Sequence, residues 1–212
     1  MTRLTWLAGC AVLVAAQGVM SSPAAGADSA APAGATVIEQ VTPVGPGGFL
    51  APGYKVTHTL GGATCKSHSP VTGNAYSCHV RFGYDPCWVT NNKPYVVCLT
   101  SPYYRRVTKL RVAVFVNRDG LGSPAALPWG LQLSNGTRTT LIPGNFGTVG
   151  NYQIHYSYNE FRTVLVGPID KSGPVWRIRQ AKNTGRFRFK VTGWATITKA
   201  WFGAATTIER NN

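Results

Sequence analysis

Residues 65–98 read CKSHSPVTGNAYSCHVRFGYDPCWVTNNKPYVVC, and this stretch holds four of the five cysteines in the 212-residue chain. Short alternating runs of β-branched and aromatic residues lie in it and around it. The helix breakers Gly and Pro recur throughout the chain, with 24 and 14 copies. Such runs at short spacing predict β-strands rather than helices. The stretch therefore indicates a β-rich domain whose middle is cross-linked by disulfides.

The four cysteines, Cys65, Cys78, Cys87 and Cys98, can pair in three ways. We favour Cys65 with Cys78 and Cys87 with Cys98, because these loops, with 12 and 10 intervening residues, would each span one hairpin or turn. Each such disulfide would contribute roughly 2–3 kcal/mol on the chain-entropy model. The other two pairings stay open at this point. Zinc is the alternative use of four cysteines, but no C-x-x-C spacing occurs, and we expect neither a metal site nor a cofactor.

The N-terminus has the layout of a secretory signal peptide. A short basic start is followed by an apolar run from Leu4 to Met20 and by Ala25-Gly26-Ala27 before Asp28. We predict a signal peptide over residues 1–27 and a secreted protein, extracellular or associated with the cell wall, where disulfides persist. The run falls short of the roughly 20 apolar residues that a membrane span needs. No transmembrane span is therefore expected after cleavage.

The rest of the chain divides into three predicted parts. Residues 28–36 have the composition of a disordered lead-in, residues 37–204 form a single β-rich domain, and residues 205–212 form a tail. Leu7-Ala8-Gly9-Cys10 matches a bacterial lipobox, but most of the apolar stretch follows the cysteine instead of preceding it. We therefore expect Cys10 to be lost with the signal.

Twelve strands are predicted in the domain. In chain order they are residues 37–41, 54–60, 75–82, 94–99, 107–116, 131–134, 137–142, 152–158, 161–166, 175–179, 186–192 and 194–201. Asn135-Gly136 predicts a two-residue hairpin in which both turn positions have positive φ, and Gly167-Pro168 is expected to break the chain between strands. Short strands with little room for crossover helices predict an all-β fold, a single antiparallel β-sandwich or barrel-like domain with two disulfides.

The chain is strongly basic, with 21 Lys and Arg against 7 Asp and Glu and a formal charge of +14. Loss of Arg3 with the signal would leave about +13. A charge of this size bears on partners rather than on fold. It favours an anionic cell-wall polymer or an anionic lipid surface outside the cell. We do not expect nucleic acid as the partner, and we expect a monomer. The alternative is a basic surface that is merely solvated.

Two predicted strands carry the cations that could form an anion-binding face. Residues 186–191 alternate basic and apolar residues, so a strand would place the cations on one face and Phe187, Phe189 and Val191 toward the core. A second pair of arginines flanks Ile178 in the same way. The candidate face consists of Arg177, Arg179, Arg186, Arg188 and Lys190. Trp194 lies in a strand pattern and is expected in the core.

No catalytic constellation stands out, and we name no catalytic residue. His68 and His79 lie near Asp85 and several serines, but no G-x-S-x-G motif marks a nucleophile. His155, with Glu160 and Arg162, offers an acid, a base and a phosphate clamp of the kind that a small ribonuclease uses. We therefore predict a non-enzymatic domain that binds anionic envelope components or a secreted partner. The alternatives are a secreted hydrolase with His68, His79 or His155 as its base, and a protein-interaction or inhibitor-like module with an exposed apolar patch.

The cysteine stretch and the sequence after it resemble a group of exported actinobacterial proteins of unknown function. The matching landmarks are Gly62 to Cys65, Asn74 to Cys78, Tyr84-Asp85-Pro86-Cys87-Trp88, Val96-Val97-Cys98, Pro102, Trp129 to Gly136, Pro174-Val175-Trp176 and Lys199-Ala200-Trp201-Phe202. The likeness covers about residues 60–202. Ser77 stands where the group often has Arg, and this chain lacks the group's further cysteine pair, so no third disulfide is expected. The resemblance implies an exported domain of this layout and no particular activity.

Overall fold

The computed structural model describes residues 34–116, 127–142 and 146–204. Strands dominate this part of the chain, and its one helical element is a short 3₁₀ turn, Pro46–Gly48. None of its helical segments has the length and apolar character needed to cross a membrane. The predicted all-β class is confirmed. The predicted signal over 1–27, Cys10 within it, and the tail over 205–212 lie outside the described residues.

The described residues form 13 strands. They are β1 (Val37–Val41), β2 (Lys55–Ser69), β3 (Thr72–His79), β4 (Gly83–Val89), β5 (Tyr95–Leu99), β6 (Arg106–Val116), β7 (Gly130–Leu133), β8 (Arg138–Thr140), β9 (Thr148–Val149), β10 (Tyr152–Tyr158), β11 (Thr163–Asp170), β12 (Trp176–Gly185) and β13 (Arg188–Gly203).

Strands β2 to β6 form a closed five-stranded barrel. Neighbours along the chain pair antiparallel, whereas β2 and β6 close the barrel in parallel, from Lys55 opposite Arg106 to Lys66 opposite Val116. An odd number of alternating strands makes the first and the last run in the same direction, so this seam has to be parallel. The prediction of a β-sandwich or barrel-like domain is confirmed, here as a barrel. The parallel pairing of β2 with β6 differs from the antiparallel arrangement that was predicted.

Both disulfides lie in the barrel, and they have the predicted pairing. Cys65 lies directly opposite Cys78 on β2 and β3, and Cys87 lies opposite Cys98 on β4 and β5. Directly opposed residues of two strands point to the same side of the sheet, which brings their side chains together. All four cysteines are buried in one apolar cluster with Leu110 and its neighbours. Each disulfide therefore fastens one hairpin inside the barrel.

The remaining strands form a second sheet in the order β8-β7-β13-β12-β11-β10-β9, with β1 paired in parallel with the end of β13. Leu141, just after β8, forms a bridge with Tyr156 in β10. The backbone N–H of Ile142 also donates to the carbonyl of His155 at 2.8 Å. These contacts join β8 to β10, so this sheet curves until strands from its two ends meet.

The largest apolar core contains residues of both sheets. Trp88 of the barrel packs against Trp129, which precedes β7, with ring centroids 6.1 Å apart. Leu165 and Ile178 of the second sheet are fully buried in the same cluster. Burying one such aliphatic side chain contributes about 1.5–3 kcal/mol. The sheets are therefore held together by packing as well as by the connecting chain.

Several predicted strand ends differ from the structure. Gly167 and Pro168 do not end a strand, because β11 continues through them with a register shift between Val166 and Asp170. The two strands predicted around Gly193 are one strand, β13. Strand β4 was not predicted at all. The hairpin at Asn135-Gly136 exists between β7 and β8, but only Gly136 has positive φ, so its turn is not the two-residue type expected.

Folded structure reaches into the predicted lead-in. Thr36 is buried, and its hydroxyl donates to the carbonyl of Ile197 at 2.6 Å and accepts from the N–H of Trp176 at 2.8 Å. Its own N–H donates to the carbonyl of Pro174 at 2.9 Å. Thr36, just before β1, therefore connects this part of the chain to the start of β12 and to the middle of β13.

Candidate anion-binding surface

The guanidinium of Arg179 is held between two aromatic rings on the second sheet. Its central carbon lies 4.2 Å from the ring centroid of Tyr152 and 4.5 Å from that of Trp194. Stacking on both sides restricts the guanidinium plane and leaves its N–H edge to bind other groups. Among the described residues, no group accepts a hydrogen bond from this guanidinium. Arg179 is thus a half-buried cation fixed in place without a counter-ion.

Local irregularities of the strands put these three side chains together. A register shift between β12 and β13 leaves Thr192 as an extra residue, and beyond it Trp194 lies opposite Arg179. On the other side, Gly167 has φ +73°, and a Cβ there would lie 2.9 Å from the Tyr152 ring. The glycine thus gives the ring room to lie beside β11 and reach Arg179.

Arg177 lies on the same face, but its charge is already neutralised. Its Nη2 donates to Oδ2 of Asp170 at 2.7 Å, and its guanidinium carbon is 5.4 Å from the Trp194 centroid. Hydrogen bonds from the Ser172 hydroxyl and N–H, followed by the bond from Arg177, lower the pKa of Asp170 to about 2. Asp170 therefore stays ionised over the physiological range. Arg177 is therefore paired with Asp170 and does not offer a free cation to a ligand.

The five predicted cations do not share one face. Side chains alternate along a strand, so Arg177 and Arg179 point to one side of β12, while Lys190, paired with Lys182, points to the other. Arg186 lies in the turn between β12 and β13, and Arg188 is the first residue of β13. The candidate face is therefore two sites, the stacked arginine and a basic hairpin end.

The predictions for two aromatic residues were wrong. Phe187, expected in the core, is 71% exposed, because it lies in the hairpin turn and not in a strand. Trp194, also expected in the core, is 45% exposed, since it points to the outer side of the sheet where Arg179 lies. Phe187 and Trp194 are therefore exposed aromatic rings that lie near basic residues.

The contacts do not favour the hydrolase alternative. Ser69 donates a short hydrogen bond to Asp85, but Ser69 is buried, and its oxygen accepts from the backbone N–H of Val71. His68 Nδ1 contacts the carbonyl of Gly73 at 2.7 Å, and His79 is exposed. Across residues 34–116, 127–142 and 146–204, no histidine forms a hydrogen bond with a carboxylate. Ser69 and Asp85 therefore form a structural pair without a base.

Asp85 accepts its hydrogen bonds from serine side chains. The depression beside it, lined by Pro70, Val71, Trp129 and Leu141, has no room for a water molecule. Burial raises the pKa of Asp85 to about 6, against the opposing effect of hydrogen bonds from Ser69 and Ser77. This carboxyl lies against the barrel–sheet core rather than in an open cleft.

The predicted ribonuclease-like group is not assembled either. His155 is half-buried on β10, where burial lowers its pKa. Glu160 and Arg162 are exposed at the β10–β11 turn. In the described part of the chain, no hydrogen bond joins the three side chains. Their closeness in sequence therefore does not become a catalytic arrangement.

The described residues hold one cluster of metal-binding residue types. The sulfur atoms of Cys78, Cys87 and Cys98 lie within 4.8 Å of one another. All three belong to disulfides, and a disulfide sulfur is not the thiolate that binds a metal. The closeness shows instead that the two disulfides pack against each other.

Sequence reasoning found Arg179 but missed the residues that define its surroundings. Tyr152, Asp170 and Trp194 are distant from one another in sequence and meet only through the pairing of β10 to β13. The one available signal was the pair of arginines flanking Ile178, with Trp194 two predicted strands further along the chain. Comparisons with protein-family models, curated proteins and solved structures found no match to this chain.

Proposed function

We propose that this protein is an exported, non-enzymatic binding domain that associates with anionic groups of the cell envelope. The observation that carries the proposal is Arg179, fixed between Tyr152 and Trp194 with no counter-ion among the residues that the structure describes. A guanidinium edge matches the paired oxygens of a phosphate or a carboxylate. Because two rings already restrict its position, Arg179 would lose little conformational freedom on binding.

The charge of the chain supports an anionic partner. Lys and Arg outnumber Asp and Glu by 21 to 7. Asp170 and Glu39 are each paired with a cation, through Arg177 and Lys199. Most cationic side chains of the described residues therefore lack an acidic partner among those residues. An envelope polymer would be drawn by this excess charge, and its attraction would weaken as salt rises.

Retention on purified cell wall, on a phosphate-bearing polymer matrix and on RNA, each at low and high salt, tests the proposal. We expect retention on the wall and the phosphate matrix at low salt, with a large loss at high salt. Retention on neither at low salt would contradict anionic association. Preference for RNA over both would contradict the envelope as the source of the anion.

Three variants test the site itself. Arg179→Gln should weaken binding to the phosphate matrix by about tenfold or more, since a charge-assisted hydrogen bond is worth about 1.5–3 kcal/mol. Arg179→Lys keeps the charge but loses the stacked fork, and it should also bind more weakly. Arg111→Gln removes the same charge from an exposed position on β6 and should have a much smaller effect. Equal losses from Arg179→Gln and Arg111→Gln would assign the binding to net charge alone.

A further inference from the structure

The hairpin between β12 and β13 ends in an unusual pair of residues. Gly185 pairs with Arg188, which leaves Arg186 and Phe187 as a two-residue loop. Both loop residues have positive φ, +48° and +57°. Loops of this kind favour Asn-Gly, since L-residues with side chains, and aromatic residues above all, are strained at positive φ. The chain thus keeps Arg and Phe where smaller residues would be less strained.

Phe187 gains little packing in return for this strain. It is 71% exposed at the end of the hairpin. The neighbouring strand β11 begins at Thr163, opposite Lys182, so the loop extends beyond the last residue paired with β11. Strain that is kept without internal compensation points to a role for the exposed side chains.

Cations surround this loop. The exposed basic residues of the hairpin end and the adjoining β10–β11 turn are Arg162, Lys182, Arg186, Arg188 and Lys190. The two turns are joined by a hydrogen bond from the N–H of Asn183 to the carbonyl of Arg162, 2.9 Å long. One acid, Glu160, is exposed there. This end of the sheet therefore combines a strong positive charge with a protruding aromatic ring.

A pair of stacked aromatic rings lies at the same end of the sheet. Phe161, in the β10–β11 turn, stacks on Phe146 with ring centroids 4.8 Å apart. Phe146 is 41% exposed. Apolar rings therefore lie both in the hairpin loop and in the neighbouring turn. A phosphate polymer that carries no bases would gain little from exposed phenylalanine rings, whereas a lipid bilayer would take them up below its headgroups.

We propose that the β12–β13 hairpin docks on an anionic lipid bilayer, with Phe187 inserted among the acyl chains and the surrounding cations on the headgroups. This inference rests on the proposed function and names its partner as a membrane surface. Attraction between the cations and anionic headgroups would bring the hairpin to the surface. Burial of one phenylalanine ring would then add to this attraction. A single inserted ring gives reversible binding rather than permanent anchoring.

Cosedimentation with phosphatidylcholine vesicles, with and without phosphatidylglycerol, tests this proposal. We expect wild-type protein to bind the phosphatidylglycerol vesicles and not the pure phosphatidylcholine vesicles. Phe187→Gly leaves the charge unchanged and should weaken that binding by about tenfold or more. The same change should raise Tm by about 2–4 °C, because glycine relieves the strain at positive φ. A purely structural role for Phe187 would not move stability and binding in opposite directions.

Two further variants complete the test. Phe187→Trp should bind as well as wild type or better, because tryptophan suits the membrane interface. Phe82→Ala removes a ring that is 75% exposed on the barrel, between β3 and β4, and should leave vesicle binding unchanged. Equal vesicle binding by wild type and Phe187→Gly would overturn the inserted-ring proposal.

The phosphate matrix separates the two proposals. Phe187→Gly should be retained on it like wild type, since a matrix of phosphate groups offers the ring neither bases nor acyl chains to contact. If wild-type protein binds the matrix but not the phosphatidylglycerol vesicles, the lipid proposal fails and the anion-binding proposal stands. If wild-type protein binds neither, both fail.

Discussion

Arg179 and Trp194 lie directly opposite each other on β12 and β13, with the guanidinium carbon 4.5 Å from the ring centroid. The pair needs the extra residue in β13, because the register shift between Gln180 and Ala181 determines which residue of β13 lies across from Arg179. A feature of backbone pairing thus decides whether an exposed tryptophan meets a cation.

Removing this tryptophan should affect binding more than folding. Trp194→Ala takes away one of the two rings on Arg179, so we expect weaker retention on a phosphate matrix. The free energy of unfolding should fall by only about 1 kcal/mol, as for a partly exposed cation–π contact. Trp194→Phe keeps a ring, so its retention and its stability should lie between those of wild type and Trp194→Ala. Urea unfolding and matrix retention check both effects. Unchanged retention by Trp194→Ala would argue against the stacked arginine as the binding group.

Gly167→Ala should disturb the same site from the opposite side. The new Cβ would lie 2.9 Å from the Tyr152 ring, at a φ of +73°. Displacement of the ring and backbone strain should together lower the free energy of unfolding by about 1–3 kcal/mol. Retention on the phosphate matrix should fall too, since Tyr152 would move off Arg179. Gly136→Ala also has positive φ but no atom within 4 Å of the new Cβ, so it should lower stability without altering retention.

The buried carboxyl of Asp85 should make the fold more stable in mild acid. Its pKa in the folded protein is about 6, against 3.8 for a free side chain. The folded state therefore binds the proton more tightly, and this group adds stability as pH falls from about 6 to about 4 and removes it as pH rises. Between the two ends of this pH range, the contribution of Asp85 to the free energy of unfolding changes by at most about 3 kcal/mol.

Asp85→Asn should remove that contribution. Urea unfolding of wild type and variant across pH 4 to 7 would measure it, and the stability of the variant relative to wild type should rise with pH. Glu160→Gln, at an exposed turn, gives a control with the same change in charge. A constant difference between Asp85→Asn and wild type over the whole range would show that Asp85 keeps an ordinary pKa.

Each disulfide should contribute separately to barrel stability. Cys65→Ala with Cys78→Ala, or Cys87→Ala with Cys98→Ala, should lower the free energy of unfolding by about 2–4 kcal/mol. The two hairpins are closed by cross-links over 13 and 11 residues, so the losses should be similar. Denaturant unfolding under oxidising conditions measures them, with reduced wild-type protein as reference. A loss below about 1 kcal/mol for either pair would mean that its hairpin needs no cross-link.

Local sequence patterns predicted much of the strand structure, because alternation and turn residues act over short distances. Strands β1 and β10 have their predicted ends, and the disulfide pairing followed from loop length. Strand β4, which was not predicted, contains Asp85-Pro86, a pair that locally favours a turn, yet the barrel holds this segment as a strand between β3 and β5. Tertiary pairing overrode the local preference there.

The sequence by itself predicted the all-β class, favoured one pairing of the four cysteines and determined the excess of positive charge, since these depend on residue type and on spacing along the chain. The tertiary structure decided which cations act together. Arg179 acquired its two rings, Arg177 its counter-ion and Phe187 its exposed position only through strand register, a bulge and a two-residue turn. A shift of one residue sends a side chain to the opposite face of a sheet, so the face that a residue occupies depends on backbone pairing across distant strands.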